Sequence, residues 1–262
     1  ERTLLFLRIF ETILYRYQDE LNKNRKIDFG DMISNSANLI SQNNVILDYK
    51  YIIIDEFQDI SDGRYNLVSE MLYQSQETKL FCVGDDWQAI YRFAGSDHKI
   101  MTNFETMFGL STILKLDETF RYNNSIAHIS ERFITKNPSQ LKKQLKTFFK
   151  KDNPQVYLHW HSENIINGIV EAVKSIKQEY EIKEQKLLIL SRYKHTGLKE
   201  NEFKTLQSIW EGGGEIEQKT THSSKGLESD FVIVVDLQSG HYGFPSEIPD
   251  DPILRLVLAQ ED

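Results

Sequence analysis

Short apolar runs that alternate with longer stretches of helical spacing most constrain what this 262-residue chain can fold into. Most of the runs are continuously apolar, as expected for strands that are buried on both faces. Strands that alternate with helices predict an α/β fold, with a mostly parallel sheet and helices on both sides. The predicted strands are 51–55, 79–84, 111–116, 155–160, 186–191, 215–220 and 231–236.

Helices are predicted at the start of the chain and in most of the intervals between strands. The first, at about 3–22, has apolar residues at helical spacing mixed with acids and bases. The second follows Asp28, a plausible N-cap, and runs to about residue 40. The other predicted helices are 63–74, 97–108, 123–137, 162–180 and 199–210. We expect a helical segment at 1–42, followed by two α/β units at 43–112 and 113–262.

Composition excludes several classes of protein. Apolar residues make up 40% of the chain, so it can bury a core. It contains no run of about 18 apolar residues, so a membrane span is not expected. The single cysteine, Cys82, excludes a disulfide framework and fits a cytoplasmic protein. A formal charge of −8 does not favour a protein that simply coats nucleic acid.

The stretch 132–151 is locally basic, with several lysines and no acid. One interpretation is a solvated helical face. The other is a patch that contacts phosphates on an otherwise acidic protein. The sequence alone leaves both open.

Two adjacent acids, Asp55 and Glu56, come directly after the apolar run YIII. Ligands of open α/β sheets bind at the carboxyl ends of the strands. There, Asp55 can hold the magnesium ion of a nucleotide, and Glu56 can orient the attacking water. The alternative is a structural role, because acids often follow strands.

The segment 83–97 also begins where a predicted strand ends in glycine and acids. It contains Gln88, and it places Arg92 between the aromatic residues Tyr91 and Phe93. Aromatic rings beside a basic residue suit stacking on unpaired bases. The alternative is that both rings belong to the core, where Trp160 and Trp210 are also expected.

Two later turns can bind anions. Arg121 follows a predicted strand and precedes a helix capped by Asn123, so it can reach a phosphate or form a structural ion pair. The turn 220–230 has hydroxyls, a glycine and Lys225, a composition suited to oxyanions. It lacks the spacing of a Walker A loop, so it is not the primary triphosphate cradle.

In this order, these four segments resemble the UvrD/Rep-type superfamily 1 DNA helicases. IIIDEFQD resembles motif II, VGDDWQAIYRF motif III, TFR motif IV and TTHSSKGLE motif V. IDFGDMI resembles the stretch that precedes motif II, and the similarity covers about residues 25–250. YRFAGSD, KNPSQLKKQL and GHYGFPSEIPDDP are similar to the DNA helicase IV branch.

The resemblance implies two RecA-like, P-loop NTPase-type domains with parallel sheets, ATP and Mg²⁺ as cofactors, and 3′→5′ movement on DNA. Asp55 would bind magnesium, Glu56 would be the catalytic base, and Gln88 would sense the γ-phosphate. The partner would be single-stranded or partially duplex DNA, and we expect a monomer. The other implied contacts are Phe120 with adenine, Arg121 with the γ-phosphate, Gly226 with the nucleotide, Glu228 with its ribose, Tyr91 and Phe93 with bases, and Thr220, His222 and Lys225 with the DNA backbone.

The chain departs from the family pattern in three ways. It has no GxGKT-type loop, it stops at RLVLAQED before the motif that carries an arginine finger, and only about 100 residues separate TFR from THSSKG. We therefore expect both motor domains to be incomplete and the isolated chain to bind ATP poorly and hydrolyse essentially none.

Two other functions remain open. The chain can be the motor part of a helicase–nuclease. It can also be a non-hydrolysing nucleic-acid-binding module, although the presence of Glu56, Gln88 and Arg121 speaks against a decayed motor.

Overall fold

The computed structural model describes residues 2–138, 140–153, 155–160, 164–244 and 247–248. Much of GHYGFPSEIPDDP, one of the segments that suggested the helicase IV branch, lies outside them. The helices are α1 (Arg2–Lys23), α2 (Phe29–Ser41), α3 (Asp62–Gln74), α4 (His98–Thr102), α5 (Phe104–Phe108), α6 (Asn124–Ile134), α7 (Ile165–Glu179) and α8 (Glu200–Ile209). The strands are β1 (Tyr51–Ile54), β2 (Lys79–Cys82), β3 (Glu118–Thr119), β4 (Lys146–Thr147), β5 (Leu187–Ser191), β6 (Ile216–Thr220) and β7 (Phe231–Val234).

The two N-terminal helices are confirmed, and the N-cap of the second is the predicted one. Asp28 accepts a hydrogen bond from the backbone N–H of Asp31, and the Asp31 side chain accepts one from the backbone of Asp28. Such a capping box satisfies two backbone donors that a helix start otherwise leaves free. Tyr17 of α1 donates to the Asp28 carboxylate at 3.0 Å, which joins α1 to the start of α2.

The chain forms two compact units, which comprise the described residues within Glu1–Glu118 and Ile129–Lys146, and within Thr119–His128 and Thr147–Asp262. In the first unit β1 and β2 pair in parallel, with Ile54 opposite Cys82. These two residues pack against a small core of Phe57, Ile60 and Ile100. The alternate residues of both strands are exposed, because successive side chains of a strand point to opposite faces.

In the second unit a three-stranded parallel sheet has the order β6-β5-β7. The central strand β5 is buried along almost its whole length. Its residues Leu187 and Ile189 pack against α7, α8 and Trp210 in the main core cluster. The prediction of a mixed α/β fold with parallel sheets and N-terminal helices is confirmed, and so is the core position of Trp210.

The predicted strands 111–116 and 155–160 are wrong, because neither segment forms a strand. Leu114, Leu116 and Trp160 are largely exposed, so the expected core position of Trp160 is also wrong. An apolar run becomes a strand only where a neighbouring strand takes up its backbone hydrogen bonds, and these runs lack that pairing. Within the described part of the chain, none of the helices combines the length and hydropathy that a membrane span requires.

The buried packing of α8 predicts a large difference between two leucine truncations. Leu206 is 0% exposed in the main core, whereas Leu158 is 65% exposed. Leu206→Ala should lower the free energy of unfolding by about 3 kcal/mol, because it removes buried methyl groups and leaves a cavity. Leu158→Ala is the matched control and should change it little. Denaturant unfolding followed by fluorescence measures both, and equal effects would contradict this packing.

Candidate functional site

Hydrogen bonds beyond the ends of β1 and β2 bring the segments 55–58 and 84–88 to one edge of the first unit. The backbone N–H of Val83 donates to the Ile54 carbonyl at 2.9 Å, and the N–H of Phe57 donates to the Val83 carbonyl at 2.9 Å. The parallel ladder therefore continues past the last strand residues. The acids that follow β1 and the loop that follows β2 lie at the carboxyl edge, as the sequence predicts for ligand-binding positions.

Glu56 has a left-handed backbone conformation, with φ 50° and ψ 42°. Its N–H donates to the carboxylate of Asp55 at 2.8 Å, which supports this tight turn. Non-glycine residues rarely adopt this conformation, and such positions cluster at functional sites. The turn leaves both carboxylates exposed at the strand end.

The Asp55 position suits a nucleotide-borne magnesium ion. Among the described residues, no three His, Cys, Asp or Glu side chains come together as a metal-binding group. Magnesium is usually held through one or two carboxylates together with substrate phosphates and water, so an all-protein cage is not required. An exposed carboxylate at the strand end therefore fits this ion better than it fits zinc or calcium.

Gln58 lies buried between the two strand ends, with 1% of its surface exposed. Its Nε2 donates to Oε2 of Glu56 at 2.5 Å, and its Oε1 accepts from the backbone N–H of Asp85 at 2.9 Å. A methyl group at Gly84 would lie 2.7 Å from that Oε1, so the close approach depends on glycine. The sequence interpretation gave Gln58 no role, because an amide within an acidic motif has no distinctive spacing.

Asp85 connects Gln58 to Gln88. The Gln88 side chain donates to Oδ2 of Asp85 at 2.9 Å, and the backbone N–H of Trp87 donates to Oδ1 at 3.1 Å. Burial alone would raise the pKa of Asp85, but hydrogen bonds from Lys143 and Gln88 and the charge of Lys143 outweigh it, and the pKa is lowered. Asp85 is therefore an anion at neutral pH and orients Gln88.

Lys143 fastens the segment 140–143 to this loop. It pairs with Asp85 and with Oδ1 of the fully buried Asp86, the latter at 2.5 Å. Asp86 also accepts from the backbone N–H of Leu141 at 2.8 Å, and Nε1 of Trp87 donates to the Leu141 carbonyl at 2.9 Å. The basic stretch 132–151 is therefore not uniformly a solvated face or a phosphate patch, since Lys143 pairs with the buried carboxylate of Asp86.

Tyr91 and Phe93 follow the same loop. Their rings lie 6.1 Å apart at 67°, in an edge-to-face arrangement. Phe93 is largely exposed and Tyr91 half-buried, so the alternative that both rings belong to the core is wrong for Phe93. An exposed ring on a short 3-10 turn (Arg92–Ala94) is available for stacking.

In the second unit, two of the residues expected at the nucleotide contact each other. Nε of Arg121 lies 2.7 Å from Oε1 of Glu228, and both side chains are about half exposed. The neighbouring Phe120 is exposed and packs against the Phe148 ring at 5.1 Å between centroids. An exposed ion pair of this kind is weak, so an incoming anion can take the place of Glu228 on Arg121.

The turn after β6 is built on Thr220, whose carbonyl accepts from the N–H of Ser224 at 3.0 Å. Gly226 has φ 81°, a conformation that favours glycine. Burial and the charge of Arg192 lower the pKa of His222, so this ring is neutral at neutral pH and can bond to a phosphate only through hydrogen bonds. Lys225 supplies a cationic group in the same turn.

The buried Asp86 predicts that Lys143 is needed for stability of the first unit. Lys143→Met should lower the free energy of unfolding by about 3 kcal/mol, because it leaves a buried carboxylate without its cation. Lys142→Met is the matched control, since that neighbouring side chain is exposed. Thermal or urea unfolding checks both variants. If Lys143→Met is as stable as its control, the ion pair does not hold the segment in place.

Comparison with known proteins identifies the family. Residues 2–109 match the UvrD/REP helicase N-terminal domain. The chain is 35% identical to DNA helicase IV of Escherichia coli over 240 residues, which is 92% of this chain and 34% of that protein. It is 30% identical to a probable DNA helicase II homolog of Mycoplasma capricolum, over 66% of this chain and 25% of that protein.

A third relative is the ATP-dependent DNA helicase PcrA of Staphylococcus aureus, which is 30% identical over 52% of this chain and 19% of its own length. The chain thus spans about a third or less of the length of these relatives. The residues that match this domain include Asp55 and Glu56 after β1 and Gln88 in the loop after β2. The chain belongs to the UvrD/Rep helicase family.

Proposed function

We propose that this chain is part of an ATP-dependent DNA translocase and helicase that moves 3′→5′ on single-stranded DNA in the cytoplasm. In this proposal the two α/β units belong to two RecA-like domains. The UvrD/Rep family and the names of the relatives support a DNA motor over a generic α/β protein.

One observation carries the proposal. Asp55 and Glu56 lie at the carboxyl end of β1, and the buried Gln58 joins Glu56 to the loop that holds Gln88. This places two acids and an amide, the groups that phosphoryl transfer to water requires, at one edge of one sheet.

The residues of the first unit would act on a bound nucleotide. When ATP is bound, it supplies the phosphoryl group whose transfer to water releases free energy. The Asp55 carboxylate would hold the magnesium ion, and the Glu56 carboxylate would orient a water molecule and accept its proton. Gln88 would respond to the γ-phosphate and pass that state to Tyr91 and Phe93, which lie a few residues further along the same loop.

The second unit also carries residues that we propose to contact a nucleotide. Arg121 would exchange Glu228 for the γ-phosphate, since a guanidinium binds a phosphate through two parallel hydrogen bonds. Glu228, once released, could accept a hydrogen bond from the ribose, with Gly226 beside it. The exposed ring of Phe120 would stack on adenine.

The DNA contacts would be few and local. Phe93 and Tyr91 would stack on bases, and Thr220, His222 and Lys225 would contact the backbone. Of these last three, Lys225 alone would supply charge at neutral pH, because the pKa of His222 is lowered. A short basic contact is consistent with a formal charge of −8 on a motor that must release DNA at each step.

Removal of the proposed base should abolish turnover. In the full-length protein that contains this sequence, Glu56→Gln should reduce DNA-stimulated ATP hydrolysis by at least about 100-fold, because general bases contribute about 10²–10⁴. ATP affinity should change little, because the amide keeps the size of the carboxyl group. Glu77→Gln, an exposed glutamate in the turn before β2, is the control. Turnover that survives in Glu56→Gln would refute the assigned role.

The exposed ring of Phe93 should contribute to DNA binding. Phe93→Ala should weaken binding of a fluorescein-labelled oligothymidylate about tenfold in the full-length protein, because one base stack is worth about 1–3 kcal/mol. Phe29→Ala removes an even more exposed ring at the start of α2 and should leave affinity unchanged. Fluorescence anisotropy at fixed salt measures both, and equal affinities for the two variants would exclude stacking by Phe93.

A further inference from the structure

We propose that Gln58 is a positioning residue that holds the Glu56 carboxylate in place and joins it to Asp85 and Gln88. The inference deepens the proposed function and rests on it, because it assigns Gln58 to the base of that same site. Gln58 is a positioning residue and not a catalytic one, since it acts through Glu56.

The orientation of the Gln58 amide follows from its two partners. The backbone N–H of Asp85 can only donate, so the oxygen of the amide must face it. The NH₂ group then faces Oε2 of Glu56, which accepts at 2.5 Å. Only a side chain with one acceptor and one donor in this geometry satisfies both neighbours.

Burial keeps the Gln58 amide in this orientation. Gln58 is 1% exposed, so its polar atoms cannot exchange these partners for water without cost. Gly84 lies close enough that an added methyl group would meet the amide oxygen at 2.7 Å. The amide is therefore confined on one side by the backbone after β2 and on the other by the Glu56 carboxylate.

The same amide is one link in a continuous series of hydrogen bonds. Glu56 accepts from Gln58, Gln58 accepts from the N–H of Asp85, and the Asp85 carboxylate accepts from Gln88. A displacement of Gln88 by the γ-phosphate therefore reaches the Glu56 carboxylate through two intervening residues. Gln58 would thus make the orientation of the base depend on the state of the loop after β2.

The near-isosteric substitution Gln58→Glu distinguishes a role in positioning Glu56 from a purely structural role. Gln58→Glu keeps an oxygen for the N–H of Asp85 but replaces the donor to Glu56 with a second carboxylate. Two adjacent carboxylates repel each other, and one of them takes up a proton as the pH falls. The protonated carboxyl group can then donate as the amide does, so the defect should be relieved in acid. Gln58→Leu has no polar atoms and should show no such relief.

Gln74 provides a matched control in the same unit. Its Oε1 accepts from the backbone N–H of Leu47 at 2.8 Å, and its Nε2 donates to the Val45 carbonyl at 2.6 Å. It is thus a bridging glutamine of purely structural type. Gln74→Glu should lower the melting temperature without a specific effect on turnover.

The first experiment needs no nucleotide. In the chain labelled with ¹⁵N-glutamine, the side-chain NH₂ signals of Gln58 are assigned by their loss in Gln58→Leu. Glu56→Gln should shift these signals, because it replaces the carboxylate that accepts from the Gln58 NH₂ group. The NH₂ signals of Gln74 should not respond to that substitution. Gln58 signals that stay the same with and without the Glu56 carboxylate would overturn the proposal.

The second experiment measures turnover in the full-length protein. At about pH 8, Gln58→Glu should lower kcat for DNA-stimulated ATP hydrolysis about tenfold, a part of the 10²–10⁴ that a general base supplies, with KM for ATP within about twofold. At about pH 6 the defect should shrink for Gln58→Glu and persist for Gln58→Leu. Equal kcat losses in Gln58→Glu and Gln74→Glu, or no pH dependence of the defect, would overturn the proposal.

The two experiments separate failure of this inference from failure of the proposed function. If Glu56→Gln abolishes turnover while Gln58→Glu matches Gln74→Glu, the motor function stands and the positioning role falls. If Glu56→Gln retains turnover, Glu56 is not the base and the positioning role falls with that assignment. Absence of DNA-stimulated ATP hydrolysis in the unsubstituted full-length protein would overturn the motor function itself. A change of the Gln58 signals in Glu56→Gln together with the pH-dependent loss of kcat supports both.

Discussion

The parallel pairing of β1 with β2 is the constraint on which the candidate site depends. Because the ladder continues through Val83 and Phe57, the turn after β1 and the loop after β2 cannot separate without breaking backbone hydrogen bonds. The Gln58 side chain and the backbone N–H of Asp85, 27 residues apart in sequence, are thereby held within hydrogen-bonding distance. The left-handed turn at Glu56 and the close approach of Gly84 to Gln58 are consequences of that pairing.

Charge inside the first unit is balanced locally. Asp86 is fully buried, and a buried carboxylate is tolerated only when it is paired and hydrogen-bonded. Lys143 and the N–H of Leu141 meet this requirement together. Lys143 also keeps Asp85 ionised. Asp85, which orients Gln88, and Asp86, which fixes the segment 140–143, therefore share one cation.

Sequence patterns predicted the elements with regular apolar spacing or a strongly apolar run, since both the exposed helix α1 and the buried strand β5 were predicted. The run at β5 and the acid cap at Asp28 could be read directly. The exposed runs around Leu114 and Trp160 could not, since apolar composition does not reveal whether a neighbouring strand exists to pair with. The predicted domain boundaries, and the roles assigned to Asp55, Gln88, Arg121 and the other site residues, stay predictions.

Within the site, the sequence pointed to Asp55, Glu56 and Gln88 but not to Gln58 and Lys143, the residues that hold the site in place. Gln58 and Lys143 act through partners that only folding brings near, and their residue types are common in exposed positions. The lysine stretch suggested a solvated face or a phosphate patch, because its acid partners lie more than 50 residues earlier in the chain. Residues that position others are therefore the part of a site that sequence spacing reveals least.

The central claim is that the carboxyl edge of β1 and β2 receives the metal of a bound nucleotide. Anomalous diffraction tests it most directly, in crystals of the full-length protein grown with manganese and a non-hydrolysable ATP analogue. An anomalous peak is expected at metal–ligand distance from the Asp55 carboxylate, with Glu56 facing the terminal phosphate. A peak bound to other residues, with Asp55 and Glu56 remote from the nucleotide, would contradict it.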